Sequence, residues 1–302
     1  MQSIIQTIDL RFSYNHTLVL KGIDLKVPAG SIFGFLGPNG AGKSTTIKTL
    51  LGLLQVREGM VEVFGKELSR NKVEILAGIG AMVETPSLYE HLSARHNLEI
   101  TRHLRQLPKT RIDEVLQIVG LTKDAHRQVK KYSTGMKQRL SLAIALLGQP
   151  SLLMLDEPIN GLDPSGIIEI RTLLTRLNRE NGCTIFLSSH ILDEIERICT
   201  DVAVIKEGLI LYQGTMQGLI QRYQQERIKI ETGDPAKAMH VLGVNNCSKE
   251  EQLLFVRINS RSDIPLIVNQ LVSAGIEIYS VQADHSDLES SFLEVLQEGG
   301  GE

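Results

Sequence analysis

The sequence predicts an α/β fold with a nucleotide-binding core and a small α+β appendage. Three observations carry this. A glycine-rich loop, GPNGAGKST from Gly37 to Thr45, follows the apolar run SIFGFL and precedes TIKTLLGLL, in which Ile47, Leu50, Leu51 and Leu54 share a helical face. A continuous apolar run, SLLMLD, ends in adjacent carboxylates and reads as a buried parallel strand. After about Gly218 the strand and helix patterns change, and no further nucleotide motif follows.

The elements follow in order. IIQTIDLRF and VLKGIDLKV alternate loosely, as strands of an antiparallel sheet do, and Pro28-Ala29-Gly30 is a turn before the loop's strand. MVEVFGKEL reads as a further strand. From Ala77 to Gly148 the pattern is mostly helical: HLSARHNLEITRHLRQL, RIDEVLQIVGL and GMKQRLSLAIALLG. β/α alternation then returns with GIIEIRTLLTRLNREN as helix, CTIFLSS as strand and HILDEIERIC as helix. VAVIKEGLILYQG closes as a hairpin with Glu207-Gly208 at its turn. The remainder predicts strand RIKIET, helix PAKAMHVLG, strand LLFVRIN, helix DIPLIVNQLVSAG, strand IEIYSVQ and helix SDLESSFLEVLQ. The expected division is a nucleotide-binding domain over 1–218, with a helical part at about 84–150, and an accessory domain over 219–302.

The loop's chemistry follows from its residues. Glycines at 37, 40 and 42 let the backbone curl round an anion without Cβ clashes, and the helix start supplies N–H groups and a positive dipole end. Gly37, Pro38, Asn39, Gly40, Ala41, Gly42, Lys43, Ser44 and Thr45 are therefore expected to hold the phosphates of a nucleoside triphosphate. Lys43 supplies a point charge, and the Ser44 hydroxyl is a hard oxygen ligand for Mg2+. Asp156, at the carboxyl end of its strand, is placed to hold the metal. The adjacent Glu157 can polarise the attacking water.

Composition narrows the function classes. A net charge of -3 gives no reason to expect nucleic acid or an anionic membrane surface. The three cysteines are scattered without a C-x-x-C pair, which argues against a metal or disulfide framework. No apolar run is long enough to span a bilayer, so any membrane part belongs to another chain.

YSTGMKQRL, from Tyr132, then makes the resemblance specific. It looks like the LSGGQ signature of ATP-binding-cassette (ABC) ATPases. The motif order also fits: phosphate loop, helical insertion, signature, Asp-Glu pair, GLD turn, and a lone His after a strand. The likeness covers roughly the first 215 residues. It implies a phosphate-loop NTPase with a RecA-like core, an antiparallel β subdomain and a helical subdomain. It further implies a head-to-tail homodimer that sandwiches ATP, with Ser133 and Gly135 touching the γ-phosphate in trans. Glu157 would be the general base, His190 the switch histidine at the γ-phosphate, and Asp163 in NGLDP part of the dimer-crossing turn. Tyr14 would stack on adenine, worth about 1–3 kcal/mol, although Phe12 on the same strand face could be that ring. Asp163 before Pro164 also reads as a helix N-cap.

Three departures stand out. Thr134 and Met136 replace the signature's first glycine and its glutamine. Glu84, in AMVETPSL, falls where the family has a glutamine linking metal and water to the membrane subunit; the resemblance implies a third metal-site residue beside Ser44 and Asp156, and a carboxylate there adds charge and only accepts hydrogen bonds. That Glu is similar to what is found in transporters protecting bacteria from lantibiotics, and the added C-terminal domain resembles the bacitracin-export group. The resemblance implies an ATPase at the inner face of the cell membrane, working under separate permease subunits to expel a peptide antibiotic. The alternative is a soluble ABC ATPase acting on ribosomes or DNA, whose relatives typically join two cassettes or carry long coiled-coil insertions.

Overall fold

The computed structural model describes residues 2–83, 88–190, 192–223, 226–243, 247–250, 253–258, 260–285, 292 and 295. They form two compact units, one ending at Met216 and the other spanning Gln217–Glu298.

The first unit opens with β1 (Ser3–Tyr14), β2 (Thr17–Ile23), β3 (Lys26–Pro28), β4 (Ile32–Leu36) and α1 (Lys43–Leu50). Next come β5 (Glu58–Val63), β6 (Lys66–Glu67), α2 (Leu68–Ala77) and β7 (Ile79–Met82). The helices α3 (Ala94–Leu104), α4 (Thr110–Ile118) and α5 (Thr134–Leu146) follow. The unit continues with β8 (Leu152–Asp156), α6 (Pro164–Asn181), β9 (Thr184–Ser189), α7 (Leu192–Glu196), β10 (Asp201–Lys206) and β11 (Leu209–Thr215).

Two sheets result. β2-β1-β5-β6 is antiparallel, with β3 on β1; the second sheet has the order β11-β10-β4-β9-β8-β7 and is parallel except for β11. Every residue of β4, β8 and β9 is buried, the signature of parallel strands covered on both faces. One core joins the two sheets: Ile5, Leu10 and Val63 pack with Phe33, Phe35, Phe186, Ile47 and Leu50. The Phe33 and Phe186 rings stack at 5.6 Å, and each such buried ring stabilises by about 1.5–3 kcal/mol.

The caps explain the helix limits. Ser133 and Asp163 accept from the amides of Met136 and Gly166 at the starts of α5 and α6. Pro164 occupies the first turn of α6, and Gly182, at φ +64°, ends it.

Within the stretch expected to be mostly helical, the structure adds a strand, β7, on the edge of the parallel sheet. Its four residues are too few to show a period, and its Gly80 reflects crowding: a Cβ there would lie 2.4 Å from the Ala145 carbonyl oxygen. Helix α2, over LSRNKVEILA, was not anticipated either.

The second unit contains β12 (Glu226–Thr232), α9 (Pro235–Leu242), β13 (Cys247–Glu250), β14 (Leu253–Arg257), α10 (Asp263–Ser273) and β15 (Ile278–His285), after α8 (Met216–Tyr223). Its sheet order β13-β14-β12-β15 is antiparallel throughout, a split βαββαβ arrangement. Ile228, Ile230, Ala238, Leu254, Val256, Leu271 and Ile276 form its own core. β13 is the strand that the sequence did not announce, because CSKE lacks alternating apolar residues. The expected last helix lies largely outside the described residues.

Candidate active site

The phosphate loop turns between β4 and α1, and its glycines have distinct reasons to be there. A Cβ at Gly37 would lie 2.3 Å from the Ile205 carbonyl oxygen. Gly42, at φ +110°, is the left-handed N-cap of α1. The loop is buttressed from the far end of the cassette: the Gly208 amide donates to the Ala41 carbonyl at 3.0 Å, and the Gly208 carbonyl accepts from Lys21 at 2.9 Å. Gly208 sits so close to β2 that a Cβ would lie 2.0 Å from the Val19 carbonyl. Pro38, Asn39 and Gly40 are exposed, Ala41 and Gly42 are buried, and Ser44 and Thr45 are half-buried.

Lys43 is buried, and its Nζ donates to the carbonyls of Gly37 (2.7 Å) and Pro38 (3.3 Å). Nζ also lies 3.4 Å from Glu157 Oε1. Glu157 Oε2 is 2.9 Å from His190 Nδ1. A single carboxylate thus bridges the loop lysine and the residue that follows β9. Glu157 holds a left-handed backbone, φ +50°, which costs a non-glycine residue about 1–2 kcal/mol and aims its side chain back towards the loop. Beside it Asp156 is buried and accepts from Ser188 Oγ at 2.6 Å, while Ser188 Oγ accepts from the Glu157 amide at 2.9 Å. One hydroxyl therefore orients both acids.

Lys43, Glu157 and His190 open on a cleft of about 370 Å³, lined also by Val19, Asn39, Gly40, Gly42, Ser44, Thr45 and Asn160, with Asp156 and Ser188 buried and not among the lining residues. The structure brings together the loop, Glu157 and His190. It adds Ser188 and Asn160, which sequence reasoning missed; Ser188 is signalled only by the serine pair ending FLSSH.

Ser133 and Gly135 sit at the start of α5 and are not among the residues lining the cleft. Gly135 has no need within the chain to be glycine: its φ is not positive, and a Cβ would meet only Leu162 Cδ2, at 3.9 Å. Another missed residue, Gln138, is buried on α5 and donates to the Pro158 carbonyl at 2.6 Å, tying the signature helix to the segment after Glu157. Asp163 caps α6, and hydrogen bonds from the Ser165 hydroxyl first, and then from the Gly166 amide, hold its carboxyl below the usual range. Tyr14 ends β1, exposed, with its ring edge-on to Phe12 at 4.9 Å. Glu84 lies outside the described residues.

A glycine loop, a buried acid at a parallel strand's carboxyl end and a second acid reaching the loop lysine together define a phosphate-loop nucleotide hydrolase. Residues 20–160 match the ABC transporter family. The chain is 40% identical to the bacitracin transport ATP-binding protein BcrA of Bacillus licheniformis, over 100% of this chain and 99% of that one. It is 40% identical to the lantibiotic transport ATP-binding protein SrtF of Streptococcus pyogenes, over 70% of this chain and 90% of that one. Among solved structures, cbiO1 from Clostridium perfringens, part of the ABC transporter complex cbiONQ, matches with TM-score 0.68 and 29% identity, over 73% of this chain and 92% of that one. The chain belongs to the ATP-binding subunits of ABC transporters, which hydrolyse ATP to power transport. The soluble ribosome- or DNA-directed alternative is set aside by these relatives. Among the described residues no helix is long and apolar enough to cross a membrane.

Proposed function

We propose that this chain drives removal of a peptide antibiotic through separate permease subunits, working as a homodimer at the inner face of the membrane, without a nucleic-acid partner. The observation that carries the catalytic part is the bridge from Lys43 through Glu157 to His190. The cargo reading rests on relatives named for bacitracin and lantibiotic transport, the first matched over the whole chain. Residues 1–218 are assigned to the nucleotide-binding domain and 219–302 to an accessory domain.

The phosphates of ATP rest on Gly37–Thr45, and Lys43 turns from the Gly37 and Pro38 carbonyls to the outer phosphates. Glu157 takes a proton from water as its oxygen bonds to the γ-phosphorus and the bond to the ADP oxygen breaks. His190 holds the γ-phosphate, and Tyr14 stacks on adenine. Ser133 and Gly135 close over the γ-phosphate from the partner copy, which gives Gly135 the reason to lack a side chain that its own chain does not supply.

The acid and hydroxyl oxygens fit a hard divalent cation. Asp156 is a buried carboxylate kept in place by Ser188, and Ser44 faces the cleft. Mg2+ leans on one or two carboxylates plus substrate phosphates, and Asp156 and Ser44 offer one carboxylate and one hydroxyl. Ser44 and Asp156 would hold the ion, which when bound neutralises charge on the β- and γ-phosphates. We assign Glu84 to the coupling between this site and the permease.

Glu157→Gln tests the base. Turnover should fall by about 10²–10⁴-fold with ATP binding kept, and light scattering with ATP should give twice the 33.5 kDa of one chain. Undiminished hydrolysis would remove Glu157 from that role, and a monomer would remove the sandwich. For the cargo, co-expression with the neighbouring permease genes should raise tolerance to bacitracin or a lantibiotic. Unchanged tolerance to both rules out a peptide-antibiotic cargo.

A further inference from the structure

Glu90 holds the turn around Ser133 at two points. Its main-chain carbonyl accepts from the Lys130 amide at 2.9 Å, three residues before Ser133. Its carboxylate accepts from Lys137 Nζ, four residues after Ser133. The Lys137 amide in turn donates to the Ser133 carbonyl at 3.0 Å. One residue, 47 positions before Lys137, therefore spans the start of α5. Ser133 and Thr134 in that turn are exposed, and Gly135 and Met136 are half-buried.

Glu90 is itself held firmly. Asn97, buried on α3, accepts from the Tyr89 amide at 2.9 Å and donates to the carbonyls of Tyr89 (3.1 Å) and Ser93 (2.9 Å). The Val129 amide donates to the Leu92 carbonyl at 2.9 Å, and the Gln128 side chain donates to the His91 carbonyl at 3.2 Å. Residues 89–93 and 128–130 are thus stitched into one frame, and the Glu90 side chain extends that frame to α5.

An ordinary exposed ion pair contributes little to stability, because water competes and two long side chains lose freedom. The Glu90 and Lys137 side chains are 57% and 33% exposed, so the fold gains little from them. Their placement offers more. A lysine near a helix N-terminus opposes the dipole, and α5 has no acid of its own in its first turn; Glu90 brings that charge from outside. The spanned turn carries Ser133 and Gly135, and groups that meet a reacting phosphate act well only when held to within about 0.5 Å. We propose that Glu90 is a positioning residue: by clasping Lys130 and Lys137 it fixes this turn for the ATP of the partner copy. The assignment rests on the nucleotide sandwich proposed above.

The test uses the full chain, Glu90→Gln, Lys137→Gln and the swapped pair Glu90→Lys/Lys137→Glu. Light scattering over a range of chain concentrations, with Mg2+ and adenylyl imidodiphosphate, reads the dimer dissociation constant. Each single change should raise it by about 4–25-fold, because a dimer holds two clasps each worth about two- to fivefold. The swapped pair should recover most of that loss. Affinity for a fluorescent nucleotide at chain concentrations too dilute for dimers should stay level, and Tm should move by no more than about 2 °C. A natural chain that stays monomeric would remove the sandwich and the clasp together. A natural chain that dimerises no better than the single variants would remove the clasp alone. Opposite shifts in the two single variants would overturn the proposal, since they would mark a simple charge effect on the phosphates. So would a swapped pair no better than the singles, or an equal fall in dilute-chain nucleotide affinity.

Discussion

Gly135→Ala separates what the fold needs from what the nucleotide sandwich needs. Gly135 lies in the first turn of α5, and an added Cβ would meet only Leu162 Cδ2, at 3.9 Å, an ordinary contact. The substitution therefore fits the isolated chain without strain. By restricting the unfolded ensemble it should stabilise by about 0.4–1 kcal/mol, which for a cassette of this size raises Tm by about 1–4 °C. Function should move the other way. If the partner's γ-phosphate is pressed against this backbone, a methyl group overpacks the closed interface by about 1–3 kcal/mol. That is about 5–150-fold in the population of the closed dimer, and steady-state ATP hydrolysis should fall accordingly. Differential scanning fluorimetry and a phosphate-release assay on the same preparation read both quantities. A raised Tm with undiminished turnover would refute the reasoning, because nothing would then approach Gly135 from outside.

Ser188→Ala strips the hydroxyl that serves Asp156 and the Glu157 amide; chemical denaturation should show a loss of about 2–5 kcal/mol with turnover reduced, and a loss under about 1 kcal/mol would contradict the shared role. Gln138→Ala leaves the buried Pro158 carbonyl without its partner. It should cost about 1–3 kcal/mol and slow turnover while fluorescent-nucleotide affinity, read by titration, stays level; an equal fall in affinity would place Gln138 at the nucleotide. Burial pushes the Cys183 thiol up to about 11, and pushes Cys199 further in the same direction. At pH 8 a thiol reagent should therefore label no more than Cys247 in the folded chain and all three cysteines after denaturation. Because these folded values exceed the ordinary 9.0, their contribution to stability is present below that pH and is lost as pH rises towards 11. Denaturant midpoints that stay flat from pH 9 to 11 would contradict this.

The sequence was most legible where chemistry needs neighbouring residues. Gly37–Thr45 is contiguous, as one backbone turn proposed to hold a row of phosphates must be, and Asp156 and the adjacent Glu157 stand at the end of β8. The supporting residues were hidden because their partners are remote: Ser188 meets Asp156 across 32 positions, and Gln138 meets Pro158 across 20. Spacing rules cannot register such contacts. The same holds for short edge strands. β7 and β13 have four residues each, and their place is decided by pairing with β8 and β14 rather than by any period of their own. The Asp163-Pro164 cap was readable because it is local, and it formed as the pair suggested.

The two backbone bonds of Gly208 have a consequence for biosynthesis. The Ala41 carbonyl emerges from the ribosome 167 positions before the amide that secures it. At about 5–20 residues per second the gap is about 8–33 s. During that interval the nascent loop lacks its final brace, and no shortened chain ending before the β10–β11 turn can complete it. Ribosome-stalled fragments should become competent for nucleotide only after that hairpin clears the exit tunnel.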